Sequence, residues 1–176
     1  SPSFNVYRAL GTCAQHGPLE KVASGVAGFE YLDAPVSGGV SWAYQVTGLD
    51  ASGLCESDAS GCVETTTTGA CTVPPVFAGL ASATNSAAAT CGIDLSWPAA
   101  TSRCGNGVTY DVYRSTTDGF TPGPESWIAS GISGTSWHDG TGLANHQTYH
   151  YVVRAVDAGN GRSENNTQRQ RSGTAG

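Results

Sequence analysis

Residues 4–9 read FNVYRA, and residues 110–115 read YDVYRS. The same strand is written twice, and Val6 stands on Val112 at a shift of 106 positions. Working outward, VASGV (22–26) falls on IASGI (128–132) at the same shift, and FEYLD (29–33) falls on TSWHD (135–139), with Asp33 on Asp139. One residue is then inserted, so that Tyr44 meets Tyr151 and Asp50 meets Asp157 at a shift of 107. Three segments in one order with a single slip mark an internal repeat. The sequence holds one whole unit of roughly a hundred residues, a normal size for a small domain, and the latter part of another.

The segments share one pattern. GIDLSW places Ile93, Leu95 and Trp97 on one face, TYHYVVRAVD does so with Tyr149, Tyr151, Val153 and Ala155, and SWAYQVTGLD with Trp42, Tyr44 and Val46. Period two, punctuated by Gly, Asn, Asp and Ser, predicts antiparallel strands with one buried face. No segment sustains a helical period. Many short strands at this spacing predict an all-β sandwich or barrel.

Composition narrows the function classes. Only 12% of the residues are charged and 39% are hydrophobic, against a net charge of −6. That balance suits a turn-rich β-protein, not a disordered chain. With one lysine, Lys21, beside seven arginines, the acidic surface repels a phosphate backbone, so nucleic acid is not an expected partner. No apolar run is long enough to span a bilayer. No signal-peptide pattern stands at the start, and Ser1 is expected to be an internal or processed end. The six cysteines form no Cys-x-x-Cys pair. They read as a disulfide framework in an oxidising compartment, with 15 connectivities open.

The order CGIDLSWPAA, VTYDVYRST, WIASGI, TSWHDGTGLANHQTYHYVVRAVDAGNG resembles a fibronectin type III domain of bacterial secreted proteins. The resemblance covers nearly all of 72–176 and, more loosely, 3–70. Its carriers are a strand B tryptophan (Trp97), a strand C Tyr-x-Val (Tyr110, Val112), and Leu143 six residues before a strand F tyrosine (Tyr149). In that family this tyrosine closes a corner by bonding its hydroxyl to the EF loop. The first unit has Trp42 there, and indole cannot repeat a hydroxyl bond in the same geometry. The resemblance implies two fibronectin type III, immunoglobulin-like β-sandwiches in tandem: a partial one at 1–70 with strands C to G, and a complete one at 71–176. Strands are expected in the second unit at A 75–83, B 91–97, C 108–115, C′ 126–131, E 135–139, F 148–157 and G 162–170. The first unit is expected to hold C 3–9, C′ 20–25, E 29–33, F 41–49 and G 62–68, without A and B. Trp42, Tyr44, Trp97, Tyr110, Val112, Leu143 and Tyr149 are the expected core.

On this frame Cys55 and Cys62 flank the FG turn of the first unit and are expected to close it. Cys13 and Cys71 could staple a loop to the connector, which leaves Cys91 with Cys104. Cys71 with Cys104 is the rival pairing.

Little points to catalysis. His150 and His138 alternate outward, His146 sits in a turn and His16 in a loop, and neither a Gly-x-Ser-x-Gly nor a His-Glu-x-x-His occurs. The turns beginning at Asp139 and Asp157 carry at most two carboxylates each, fewer than calcium demands. No cofactor or metal is expected. Trp127 and Trp137 could form a sugar platform, although alternation favours burying them. Asn165 opens a glycosylation sequon. The expected function is a non-catalytic spacer or adhesion module, bacterial and secreted or at the cell surface. The alternatives are a filament subunit that exchanges strands between copies and a substrate-binding accessory module of a secreted hydrolase. The expected partners are protein, either an upstream segment or a neighbouring copy covering the first unit, and cell-surface polysaccharide.

Overall fold

The computed structural model describes residues 3–34, 36–87, 91–167 and 171–176. Among these residues it is all-β, with one short 3-10 turn at Pro124–Ser126. The chain divides into two units, Ser1–Thr72 and Val73–Gly176.

The first unit is a single sheet. Its strands are β1 (Ser3–Thr12), β2 (Gln15–His16), β3 (Glu20–Ala27), β4 (Ser41–Leu49) and β5 (Val63–Thr66). They run in the order β2-β1-β4-β5, with β3 also on β1, and every pair is antiparallel. The second unit is a complete sandwich. One sheet is β6 (Ser82–Asn85), β7 (Ile93–Ser96) and β10 (Ser136–Asp139) in the order β10-β7-β6. The other is β8 (Val108–Ser115), β9 (Trp127–Ile132), β11 (Thr148–Asp157) and β12 (Arg171–Thr174) in the order β12-β11-β8-β9.

Alternation explains the second core. Ile93, Leu95 and Trp97 face Tyr110, Val112, Tyr149, Tyr151, Val153 and Ala155, all buried, with Phe77 and Leu80 closing the side. Phe77 and Trp97 pack their rings on Tyr110 at 5.3 and 5.4 Å, and the Tyr110 hydroxyl accepts from the Ala100 amide at 2.8 Å. Each large side chain so buried contributes about 1.5–3 kcal/mol. At Gly173, on β12, a Cβ would lie 3.1 Å from Ile93 Cγ2 and 3.3 Å from the Ala83 carbonyl, so a side chain there would need those neighbours to give by a few tenths of an ångström.

The repeat extends to an irregularity of the backbone. Gly25 and Gly131 take φ of 65° and 66°, beside register shifts where β3 meets β1 and where β9 meets β8. Glycine adopts this left-handed conformation without a Cβ clash, and both units bulge at the same place.

Three expected strands differ. FEYLD forms no strand E: Phe29 and Leu32 are 88% and 86% exposed and Tyr31 is 42% exposed. Its counterpart β10 exists because β7 pairs with it from Ser136↔Ser96 to Asp139↔Ile93. Among the described residues 3–34 and 36–72 no strand pairs with the backbone of FEYLD as β7 does with β10. Strand A is reduced to a bridge between Val76 and Thr101, then β6. Strand G begins as a bridge between Val156 and Ser163 and resumes as β12. In between, the Asn166 carbonyl accepts from Arg154 Nε at 3.3 Å; residues 168–170 lie outside the described residues.

Candidate functional site: the open face of the first unit

The two units present the same inner face in opposite conditions. In the second it is the core just described. In the first, Phe4 and Val6 of β1, Val26 of β3 and Tyr44 and Val46 of β4 line a trough of about 560 Å³, with Phe29 and Tyr31 at its rim. The Phe29 ring rests on Phe4 at 5.8 Å, and the Tyr31 hydroxyl donates to the Val22 carbonyl at 3.3 Å. Neither contact closes the face.

One carboxylate ties the rim down. Asp33 takes Arg8 Nη1 at 2.8 Å and the Tyr44 hydroxyl at 2.9 Å. The second unit repeats this: Asp139 takes Arg114 Nη1 at 2.8 Å and the Tyr151 hydroxyl at 2.7 Å. In both, the guanidinium also lies over a strand F ring, Arg8 over Trp42 at 4.7 Å and Arg114 over Tyr149 at 5.3 Å. Burial, and then the Asp33 bond, pushes the Tyr44 hydroxyl up to about 12, so it remains a donor at neutral pH. Burial and Asp139 push Tyr151 up further still. The tether thus persists without the strand that normally carries it.

Trp42 does not repeat the hydroxyl bond of Tyr149 and bonds its own loop in another way. Its Nε1 donates to the Ser37 carbonyl at 3.1 Å. Tyr149 accepts from the Ala144 amide at 2.9 Å. Trp42 and Tyr149 are buried, Tyr44 is half-buried, and Leu143 packs at the edge of the second core.

The outer face of the first sheet is closed by its own FG loop. The Glu56 carboxylate accepts from Tyr7 at 2.6 Å, Lys21 at 2.6 Å, Thr47 at 3.1 Å and Asn5 Nδ2. The Lys21 and Tyr7 bonds, outweighing desolvation, lower its pKa to about 2.

The cysteine pairing needs correction. Cys13 bonds to Cys62, so neither Cys55–Cys62 nor Cys13–Cys71 forms. Cys55 and Cys91 are free thiols, which also excludes Cys91–Cys104. Cys71 and Cys104 are each held in a disulfide. The cause lies in the β1–β2 hairpin tip. The Cys13 amide reaches Glu64 of β5 at 2.5 Å, across β4, whose fully buried Ala43 pairs with Ala9 and Glu64.

The acidic turns are spent on protein donors. Beyond Asp139, Asp157 accepts from Asn106 Nδ2 at 2.9 Å, the Ser102 hydroxyl at 3.2 Å and the amides of Gly159 and Asn160, both at 3.0 Å. Among the described residues no group of three or more His, Cys, Asp or Glu side chains is placed to hold a metal ion. Of the histidines, His138 pairs with Asp94 at 2.7 Å and His150 with Asp118 at 3.3 Å. Trp137 packs against the second core, whereas Trp127 is 53% exposed.

No family model and no curated protein matches the chain. Among solved structures it is similar to a Fn3-like protein from Clostridium thermocellum, with 34% identity over 57% of this chain and 90% of that one, at a TM-score of 0.43. It is also similar to the FN1–FN3 domains of chicken CNTN1, with 10% identity over 98% of this chain and 56% of that one, at a TM-score of 0.39.

Proposed function

The chain belongs to the fibronectin type III-like proteins, and from that premise we propose that it is a non-catalytic structural or adhesion module of the extracellular space whose first unit is completed by a covering pair of β-strands. The observation that carries this is the open trough, with Phe29 and Leu32 88% and 86% exposed beside it. Contiguous apolar patches of this kind mark interaction sites on soluble proteins. The disulfide between Cys13 and Cys62 supports an oxidising compartment.

The second unit indicates the chemistry of the cover. There the same face is closed by β6 and β7, which bring Ile93, Leu95 and Trp97 down onto it. A segment of alternating Ile, Leu and Trp character therefore fits the trough. Its backbone would find residues 30–33 without strand partners and already anchored by Asp33. Strand addition supplies main-chain hydrogen bonds as well as apolar burial, at about 25 cal/mol per Å².

The test places the sequence of residues 73–106, carrying Cys91→Ser and Cys104→Ser, ahead of Ser1. The expected result is that a hydrophobic dye bound by the unextended chain is released and that amide exchange at Tyr31–Asp33 slows. Unchanged dye binding and exchange would show that the face needs no cover. Assembly of the unextended chain that grows with concentration in sedimentation, and is suppressed by the extension, would identify a second copy as the source of the strands.

A further inference from the structure

The outer faces of the two units differ more than their inner faces, and the difference is chemical. The repeat aligns Asn5 with Asp111, Tyr7 with Tyr113, Lys21 with Trp127, and Thr47 with Arg154. The bridges Leu49↔Glu56 and Val156↔Ser163 align Glu56 with Ser163. In the first unit these positions form a closed clasp around the Glu56 carboxylate. In the second unit the inserted carboxylate is absent, since serine replaces it. The aligned residues Asp111, Tyr113, Trp127 and Arg154, with Pro122 and Pro124, line a cleft of about 360 Å³.

Each replacement changes what the site can bind. Asn5 offers an N–H to Glu56 and takes the Gly25 amide at 3.2 Å. Asp111 keeps only the second of these contacts, from Gly131 at 3.3 Å, and its other oxygen is an acceptor without a partner among the described residues. Burial pushes its pKa up, as expected of a carboxylate short of donors. Arg154 lies opposite Asp111 in the strand register, yet it forms no ion pair with it. Its guanidinium stacks on Tyr113 at 5.4 Å, and its Nε is held by the Asn166 carbonyl. Donor and acceptor are thereby held apart at one end of the cleft. Trp127 replaces the lysine ammonium with an aromatic ring, fixed by its Nε1 donating to the Ala129 carbonyl at 3.0 Å.

We propose that this cleft on the second unit is a carbohydrate-binding site, in which the Trp127 ring receives the C–H face of a pyranose while Asp111 and Arg154 take adjacent hydroxyls. A sugar diol both donates and accepts, which matches a carboxylate and a guanidinium set apart. A proline-rich segment would use the aromatic and proline walls but leave the Asp111 oxygen unpaired, at a cost. The site is independent of whatever covers the first unit.

The test titrates the intact oxidised chain with cellohexaose, chitohexaose and a proline-rich decapeptide, following Trp fluorescence and amide shifts. Saturable binding of at least one hexaose is expected, with shifts at Asp111, Trp127 and Arg154. Trp127→Ala and Asp111→Asn should each weaken it about tenfold, the effect of losing one strong contact. Thr47→Ala, at the aligned place in the first unit, should leave it unchanged. Equal denaturation midpoints of the variants separate lost binding from lost folding. Absence of saturable binding to both sugars, binding that survives Trp127→Ala, or binding of the peptide alone overturns the proposal.

Discussion

Trp42 and Tyr149 close the same corner of two repeated units with opposite hydrogen-bond polarity. Trp42 donates to a carbonyl five residues upstream, Ser37, and Tyr149 accepts from an amide five residues upstream, Ala144. An indole has only a donor and a phenol can accept. The loop before β4 therefore turns a carbonyl toward its ring, where the loop before β11 turns an N–H. Tyr149→Phe should lower stability by about 0.5–1.5 kcal/mol, and Trp42→Phe by at least that amount because it also shrinks a ring that packs on Arg8. Denaturant midpoints of the two variants check this. An unchanged midpoint for Tyr149→Phe would remove the corner from the account of the second unit.

The two Arg–Asp–Tyr tethers should not be equal. The Asp139 side chain is 2% exposed and that of Asp33 14%. Asp139→Ala strands the Arg114 charge and the Tyr151 hydroxyl in the core and should cost about 3–5 kcal/mol. Asp33→Ala, at an open rim, should cost roughly 1–2 kcal/mol. Its more telling effect should be faster amide exchange at residues 30–33, since Asp33, with the Tyr31–Val22 bond, ties that segment to the sheet.

Acid should loosen the outer face of the first unit. Glu56 is lowered from 4.5 to about 2 in the folded chain. A depressed carboxylate contributes stability that is present above its unfolded pKa and is lost as pH falls through its folded value. The loss should therefore run from pH 4.5 down to about 2. In Glu56→Gln that part of the acid limb should flatten. The Glu56 carboxyl resonance, followed by carbon NMR, should titrate at the low end of the window; an ordinary titration would dismiss the clasp.

Peptide mapping without reductant should recover Cys13 joined to Cys62, and Cys55 and Cys91 as the alkylated residues, with exposed Cys55 reacting first. The Cys13–Cys62 bond closes a separation of 49 residues. The loop-entropy relation then gives about 4 kcal/mol, so Cys13→Ser with Cys62→Ser should strongly destabilise the first unit. Recovery of Cys55–Cys62 would restore the pairing expected from sequence.

Period-two alternation in segments such as GIDLSW and TYHYVVRAVD is enough to place strands and to find the face turned to the core, although Val152, on the other face, is fully buried as well. It is a local property, because neighbouring residues on a strand point to opposite faces whatever the rest of the chain does. The repeat is likewise read from one-dimensional spacing, which sets FNVYRA of the first unit on YDVYRS of the second. What the sequence could not determine depends on paths through space. FEYLD has the composition of a strand, yet it needs a neighbour to pair with, and only the assembled sheet shows that it has none. Cys62 is seven residues from Cys55, but the β1–β2 tip brings Cys13 to it across β4. The clasp on Glu56 and the cleft between Asp111, Trp127 and Arg154 join residues from three or more separate segments. No spacing rule relates such residues, so their meeting is decided by the tertiary fold.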